Sequence, residues 1–292
     1  MAFFRIKRRG GNVFHRTLLR RGTVAVHVWS AGFELPRTSD YPNLTGCRKT
    51  LRIMKNSPKT AFFLALAFVP ALIFADDHGE VIFEDDFERS ESQEKSDEPG
   101  NDWSTNSKSR AQGEKQVDLK DGTMRIFLSP KADHAVSVTH PAEFQDGAVG
   151  VKFMLEDAKD SIGLNFADLK FKEVHAGHLC AARISTFDVK LQDLKTGRMA
   201  KAVRDASKAK TLTADQKKML KTKEKGVKNK LETGKWYDLL CVIKGDTMTV
   251  SIDGKEISSF SSEGIAHPTK RTLRLSIPKN VVIDDLKIWK SK

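Results

Sequence analysis

Between Val81 and Trp289 the sequence is cut into short runs rich in β-branched and aromatic residues, each ended by turn-forming residues. The first group is VIFEDDF (81–87), TMRIFLS (123–129), HAVSVTH (134–140), GAVGVKFMLE (147–156), SIGLNFADL (161–169), HLCAARIS (178–185) and FDVKLQDL (187–194). After an interruption come KWYDLLCVIK (235–244), TMTVSID (247–253), KEISSF (255–260), TLRLSI (272–277) and NVVIDDLKIW (280–289). Runs of this length and composition are strands, and many of them at near-regular spacing build an all-β sandwich or barrel rather than an α/β fold.

Two turns carry a mechanism. Asp253-Gly254 accepts the positive φ values of a type I′ turn, and Gly245-Asp246 reverses the strand before it. Together they predict a three-strand meander from Lys235 to Phe260. Side chains alternate along a strand, so Tyr237, Leu239, Cys241 and Ile243 share the core face while Trp236, Asp238 and Leu240 share the other.

Upstream lies the stretch MKNSPKTAFFLALAFVPALIFADDHG, from Met54 to Gly79. Lys55 and Lys59, an apolar run from Ala61 to Ala75, and small Ala75 before Asp76-Asp77 follow the order of an export signal, with Ile73 larger than the small residue usual at its position. A membrane-spanning helix needs about 20 apolar residues, whereas this run is shorter and contains Pro70. Residues 54–75 are accordingly read as a signal peptide, with a buried core helix as the alternative. Residues 1–53 show no period long enough for a core. They are either an untranslated stretch before a true start at Met54 or a basic extension of a membrane anchor.

Charge and cysteine use respect that division. Residues 1–75 carry 13 Lys and Arg against two Asp and Glu, so they hold 11 of the 12 net positive charges. Residues 76–292 are nearly neutral, and general binding of nucleic acid loses its support. Of the three cysteines, Cys47 lies before Met54. Cys180 and Cys241 fall in strand-like runs, where an oxidising compartment permits a disulfide and burial equally suits two free thiols.

The interruption has its own composition. From Arg198 to Lys230 there are twelve Lys and Arg and three Asp and Glu. Thr213 and Gln216 have the spacing of a capping box, which predicts a short helix from Ala214 to Lys225 stopped by Gly226. Lys217, Lys218 and Lys221 of this basic insertion either contact an acidic glycan or form an ordinary solvated face.

IFEDDFER, VDLKDGTMRI, KWYDLLCVIKGDTMTVSIDGKEISSF and NVVIDDLKIWK together resemble the bacterial exported jelly-roll domains of the concanavalin A-like lectin/glucanase group, and within it those described as 3-keto-disaccharide hydrolase domains. The resemblance runs from Val81 to Lys290 and rests on framework strands and turns. It implies a two-sheet antiparallel jelly roll over residues 76–292, with the first and last strands close together and a carbohydrate-linked role in the periplasm or outside the cell. A fold of this kind hosts many functions and supplies no catalytic residue by itself.

Glycoside hydrolysis needs two carboxylates. Glu84 and Asp86 begin the E-x-D-x-x-E pattern of jelly-roll glucanases, but Arg89 stands where the third acid belongs. Glu84, Asp86 and Glu88 alternate onto one strand face, as a solvated face or a cation site. A second constellation is Glu173, His175 and His178 in FKEVHAGHLCAARIS. In a strand Glu173 and His175 share a face, and a turn at Gly177 brings His178 towards them. A carboxylate beside two imidazoles has the donors for general acid–base work or for a metal. Ordinary hydrogen-bonded surface or turn histidines account for the same spacing, so no metal is assigned, and nothing in the sequence names a cofactor. Arg183, Asp188 and Trp103 are the candidate sugar-binding residues, Trp103 as a stacking platform. Two functions stand: a glycoside or keto-sugar hydrolase or lyase, and a non-catalytic lectin-like polysaccharide-binding module.

Overall fold

A computed structural model describes residues 78–292. The segments read above as an export signal (54–75) and as its upstream extension (1–53) lie outside the described residues. The described chain is a two-sheet antiparallel sandwich of the jelly-roll type. Its strands in chain order are β1 (Glu80–Asp85), β2 (Ser104–Thr105), β3 (Val117–Lys120), β4 (Thr123–Phe127) and β5 (Val136–Phe144). They continue with β6 (Gly147–Met154), β7 (Ser161–Ala167), β8 (His178–Ser185), β9 (Asp188–Asp193) and β10 (Glu224–Lys228). The last five are β11 (Trp236–Lys244), β12 (Thr247–Ile252), β13 (Lys255–Ser261), β14 (Lys270–Ile277) and β15 (Asn280–Lys290). Short helices occur at α1 (Ser107–Arg110) and, in the basic insertion, at α2 (Lys201–Lys208) and α3 (Ala214–Thr222).

One sheet, sheet A, runs β13-β12-β11-β6-β15-β4-β3, with β1 also paired to β15. The other, sheet B, runs β10-β9-β8-β7-β14-β5-β2. The first and last strands do meet, Glu80 facing Lys290 and Asp85 facing Leu286. The core lies between the sheets and is built by alternation: Leu239, Cys241 and Ile243 from sheet A and Leu164, Phe166, Leu273 and Leu275 from sheet B are all at most 2% exposed. The meander forms as predicted, with Asp253 at φ 50° and Gly254 at φ 74° in its second turn.

Three local expectations are corrected. The insertion holds two helices, and α3 stops at Thr222 rather than Lys225. Gly226 lies inside β10, where it faces Lys190, because the open edge of β9 offers backbone partners that outweigh the helical tendency of a Lys-rich tail. Glu173 and His175 are not in a strand: Ala176 and Gly177 sit at φ 50° and 70°, which turns the chain before β8 begins. Cys180 and Cys241 are both buried and unbridged.

Candidate functional site

Strand register on sheet B lays polar side chains on its outer face in cross-strand rows. One row reads Ser104, Thr139, Arg274, Asn165, Ala181, Gln192 and Glu224 from β2 to β10. The next reads Ser137, Ser276, Gly163, Arg183, Lys190 and Gly226. Thr272 and, after a bulge, His178 continue the face on the other side. The cause is visible in TLRLSI: Leu273, Leu275 and Ile277 turn inward, so Thr272, Arg274 and Ser276 must turn outward.

A depression of about 340 Å³ lies on this face, lined by Asn106, Arg110, Ser137, Thr139, His175, His178, Thr272, Arg274 and Ser276 among others, and no Asp or Glu among the described residues lines it. Its end wall is the segment from Asp168 to Gly177. Asp168 accepts hydrogen bonds from Arg271 Nη1 at 2.7 Å and from the Lys170 N–H at 2.8 Å, with His267 Nε2 at 3.3 Å. Its own N–H donates to the Gly177 carbonyl at 2.9 Å. Gly177 is required there, since a Cβ would fall 2.5 Å from the Asp168 carbonyl oxygen. The His175 N–H donates to the Met199 carbonyl at 2.9 Å, which ties the wall to the start of the basic insertion.

His178 is held from two sides in the depression. Asn165 Oδ1 lies 2.9 Å from its Nδ1, and Arg274 Nη1 lies 3.0 Å from its Nε2 and 3.1 Å from its Nδ1, so the guanidinium sits over the ring rather than in its plane. Nδ1–H is donated to the amide oxygen, and the guanidinium lies against the ring face. Burial, and then the positive charge of Arg274, push the His178 imidazole down to about 3, so it is neutral at physiological pH. His175, exposed and stacked at 6.3 Å between ring centroids, is also held below its ordinary value, first by burial and then by Arg204, Lys208 and Arg274.

The candidates read from sequence separate on this geometry. His175 and His178 come together in the depression, whereas Glu173 is exposed on the loop before it and does not line it. Arg183 shares the outer face but sits about 16 Å along β8 from His178 at about 3.3 Å per residue, and its Nη2 pairs with both oxygens of Asp188 at 3.0 and 3.1 Å. Trp103 is not a stacking platform. It is 6% exposed, packs edge-on to Phe83 and donates Nε1–H to Asp85 at 2.8 Å, so both its face and its N–H are committed to the framework. Lys217, Lys218 and Lys221 are all exposed on α3, and Lys221 lines a second depression at the β10 edge with Gln192 and Arg198. Arg274, Asn165 and Thr139 were not singled out by sequence, although the alternation in TLRLSI marks Arg274 as an outward charge between core leucines.

Glu84, Asp86, Glu88 and Asp285 line an open depression of about 600 Å³ beside β1 and β15, together with Arg89 and Lys287. Glu84 is paired there with Lys287 at 3.1 Å. A further acidic group, Glu91, Glu94 and Asp118, is closed around the Lys115 ammonium at 2.6 to 2.8 Å.

Neither a protein-family model nor a curated protein sequence matches the chain. Among solved structures, a carbohydrate-binding module from Bacillus subtilis is similar at 11% identity and a TM-score of 0.43, over 65% of this chain and 96% of its own. A laminarinase from Flavobacterium sp. is similar at 12% identity and a TM-score of 0.46, over 72% of this chain and all of its own. A protein of unknown function with a galectin-like fold from Bacillus subtilis reaches 14% identity and a TM-score of 0.46, over 73% of this chain and 96% of its own. At these identities and TM-scores the likeness decides nothing about ligand or chemistry.

Proposed function

We propose that the protein binds polysaccharide along the outer face of sheet B and does not cleave it. The observation that carries this reading is the lining of the depression: hydroxyl, amide, imidazole and guanidinium groups in cross-strand rows, with no carboxylate among them. Rows of fixed hydroxyl and amide groups suit a polyhydroxylated chain, each giving one donor and acceptor set. Hydrolysis by paired acids has no pair to use here, and a His178 that stays neutral far below pH 7 is a poor proton donor. The 3-keto-disaccharide hydrolase resemblance in the framework strands therefore supports a carbohydrate role, while its hydrolytic part finds no counterpart in this depression. Export to the periplasm or the cell exterior belongs to the same reading and rests on the pattern of residues 54–75. A mature N-terminus at Asp76, read by mass spectrometry, supports it, and any peptide from residues 1–53 counts against a true start at Met54.

Affinity electrophoresis of the full chain through gels containing plant, algal and bacterial polysaccharides, paired with a reducing-end release assay, tests the reading. At least one polymer should retard the protein without release of new ends. Release that disappears in His178→Ala overturns the non-catalytic reading, and no retardation by any polymer overturns binding.

A further inference from the structure

We propose that Arg274 forms an anion subsite at the floor of this depression and takes the charged substituent, carboxylate or sulfate, of an acidic sugar; the proposal rests on the depression being the polysaccharide site. Arg274 stands in the middle of the sheet B row, flanked by Thr139 on one strand and Asn165 on the other. No carboxylate among the described residues pairs with it. Its contacts are neutral groups, the His178 ring, whose two nitrogens lie 3.0 and 3.1 Å from Nη1, and the Ala176 carbonyl at 3.5 Å. A guanidinium keeps its proton at any physiological pH, so partial burial leaves a fixed charge that only an acceptor from outside can pair. Most of its five N–H donors are left for that acceptor.

The neighbours orient the group rather than neutralise it. Asn165 fixes the His178 ring, and the guanidinium packs over that ring, which leaves its N–H edge for a two-oxygen ligand. Arg204 adds to the positive field around both histidines, and its Nε is buried without a partner. Arg183 supplies the contrast on the same face: it already holds a carboxylate, Asp188, and needs no other. Uronates and sulfate esters present the same chemistry to Arg274, and the ligand panel separates them.

Binding of the full chain is measured for polygalacturonate, for the same polymer fully methyl-esterified, and for dextran sulfate against dextran. The charged member of at least one pair should bind at least about 10-fold more tightly, equivalent to about 1.4 kcal/mol, and the preference should weaken in salt. Arg274→Gln should abolish the preference, Arg274→Lys should restore part of it, and Lys152→Gln, on sheet A, should leave it in place. The esterified and unsulfated ligands test the wild-type protein, so the result does not depend on the variants folding. Equal binding of charged and neutral members, or a preference untouched by Arg274→Gln, overturns the anion subsite while polysaccharide binding stands. Binding of none of these polymers, together with no retardation by any other, removes both.

Discussion

His178 is held between an amide that accepts its Nδ1 proton and a guanidinium that lies over its ring, and the cost of charging it there shows in its depressed proton affinity. In the unfolded chain the group returns to its ordinary value of 6.5, so between that value and about 3 the unfolded state binds more protons than the folded one. Stability attributable to His178 is thus complete above pH 6.5 and is lost on acidification below it, with a slope of up to about 1.4 kcal/mol per pH unit. Urea unfolding between pH 4.5 and 7 should show a shallower pH dependence in His178→Asn than in the wild type; identical slopes would contradict the assignment. Trp103 makes a different prediction. Trp103→Phe removes the donor to buried Asp85 and should cost about 1 to 3 kcal/mol in denaturant unfolding, with polysaccharide retention unchanged. At this scale the sequence disclosed residue types but not their neighbours. Trp103 could be noticed as an aromatic, yet its burial depends on Asp85 and Phe83, eighteen and twenty residues away.

Alternation makes most strands legible, because a sheet with one face in the core leaves its period of two in the residues. TLRLSI and WYDLLCVI carry it plainly. β10 cannot be read this way: EKGVK has no apolar face of its own and forms by pairing with the edge of β9. The wall before β8 misleads for a related reason, since Lys172 to His178 looks extended until Ala176 and Gly177 turn it. The capping box is legible because it is local, with Gln216 N–H donating to Thr213 Oγ1 at 3.1 Å and Thr213 N–H donating to Gln216 Oε1 at 2.9 Å. Thr213→Ala should weaken α3 by about 1 kcal/mol. Hydrogen exchange should then accelerate across 214–222 with sheet protection unaltered, because α3 buries none of its residues in the core.

Across the whole molecule, two thiols sit in a core that needs no covalent tie. Burial pushes Cys180 up to about 12, and Cys241 is raised as well. Neither should be alkylated in the native protein, and both should be labelled in denaturant without prior reduction; a mapped disulfide between them would refute this. The sandwich also divides its duties between its sheets. The polar rows occupy the outer face of sheet B, while β1 and β15 pair within sheet A. Glu80 opposite Lys290 brings the beginning and end of the described region together, so this part of the chain describes a nearly closed circuit. Joining those ends by a short flexible linker and opening the circuit between α2 and α3, in an exposed segment, should give a circular permutant that folds and still presents the sheet B face. By the same geometry the domain can be inserted whole into a host loop, attached through one sheet and displaying the other.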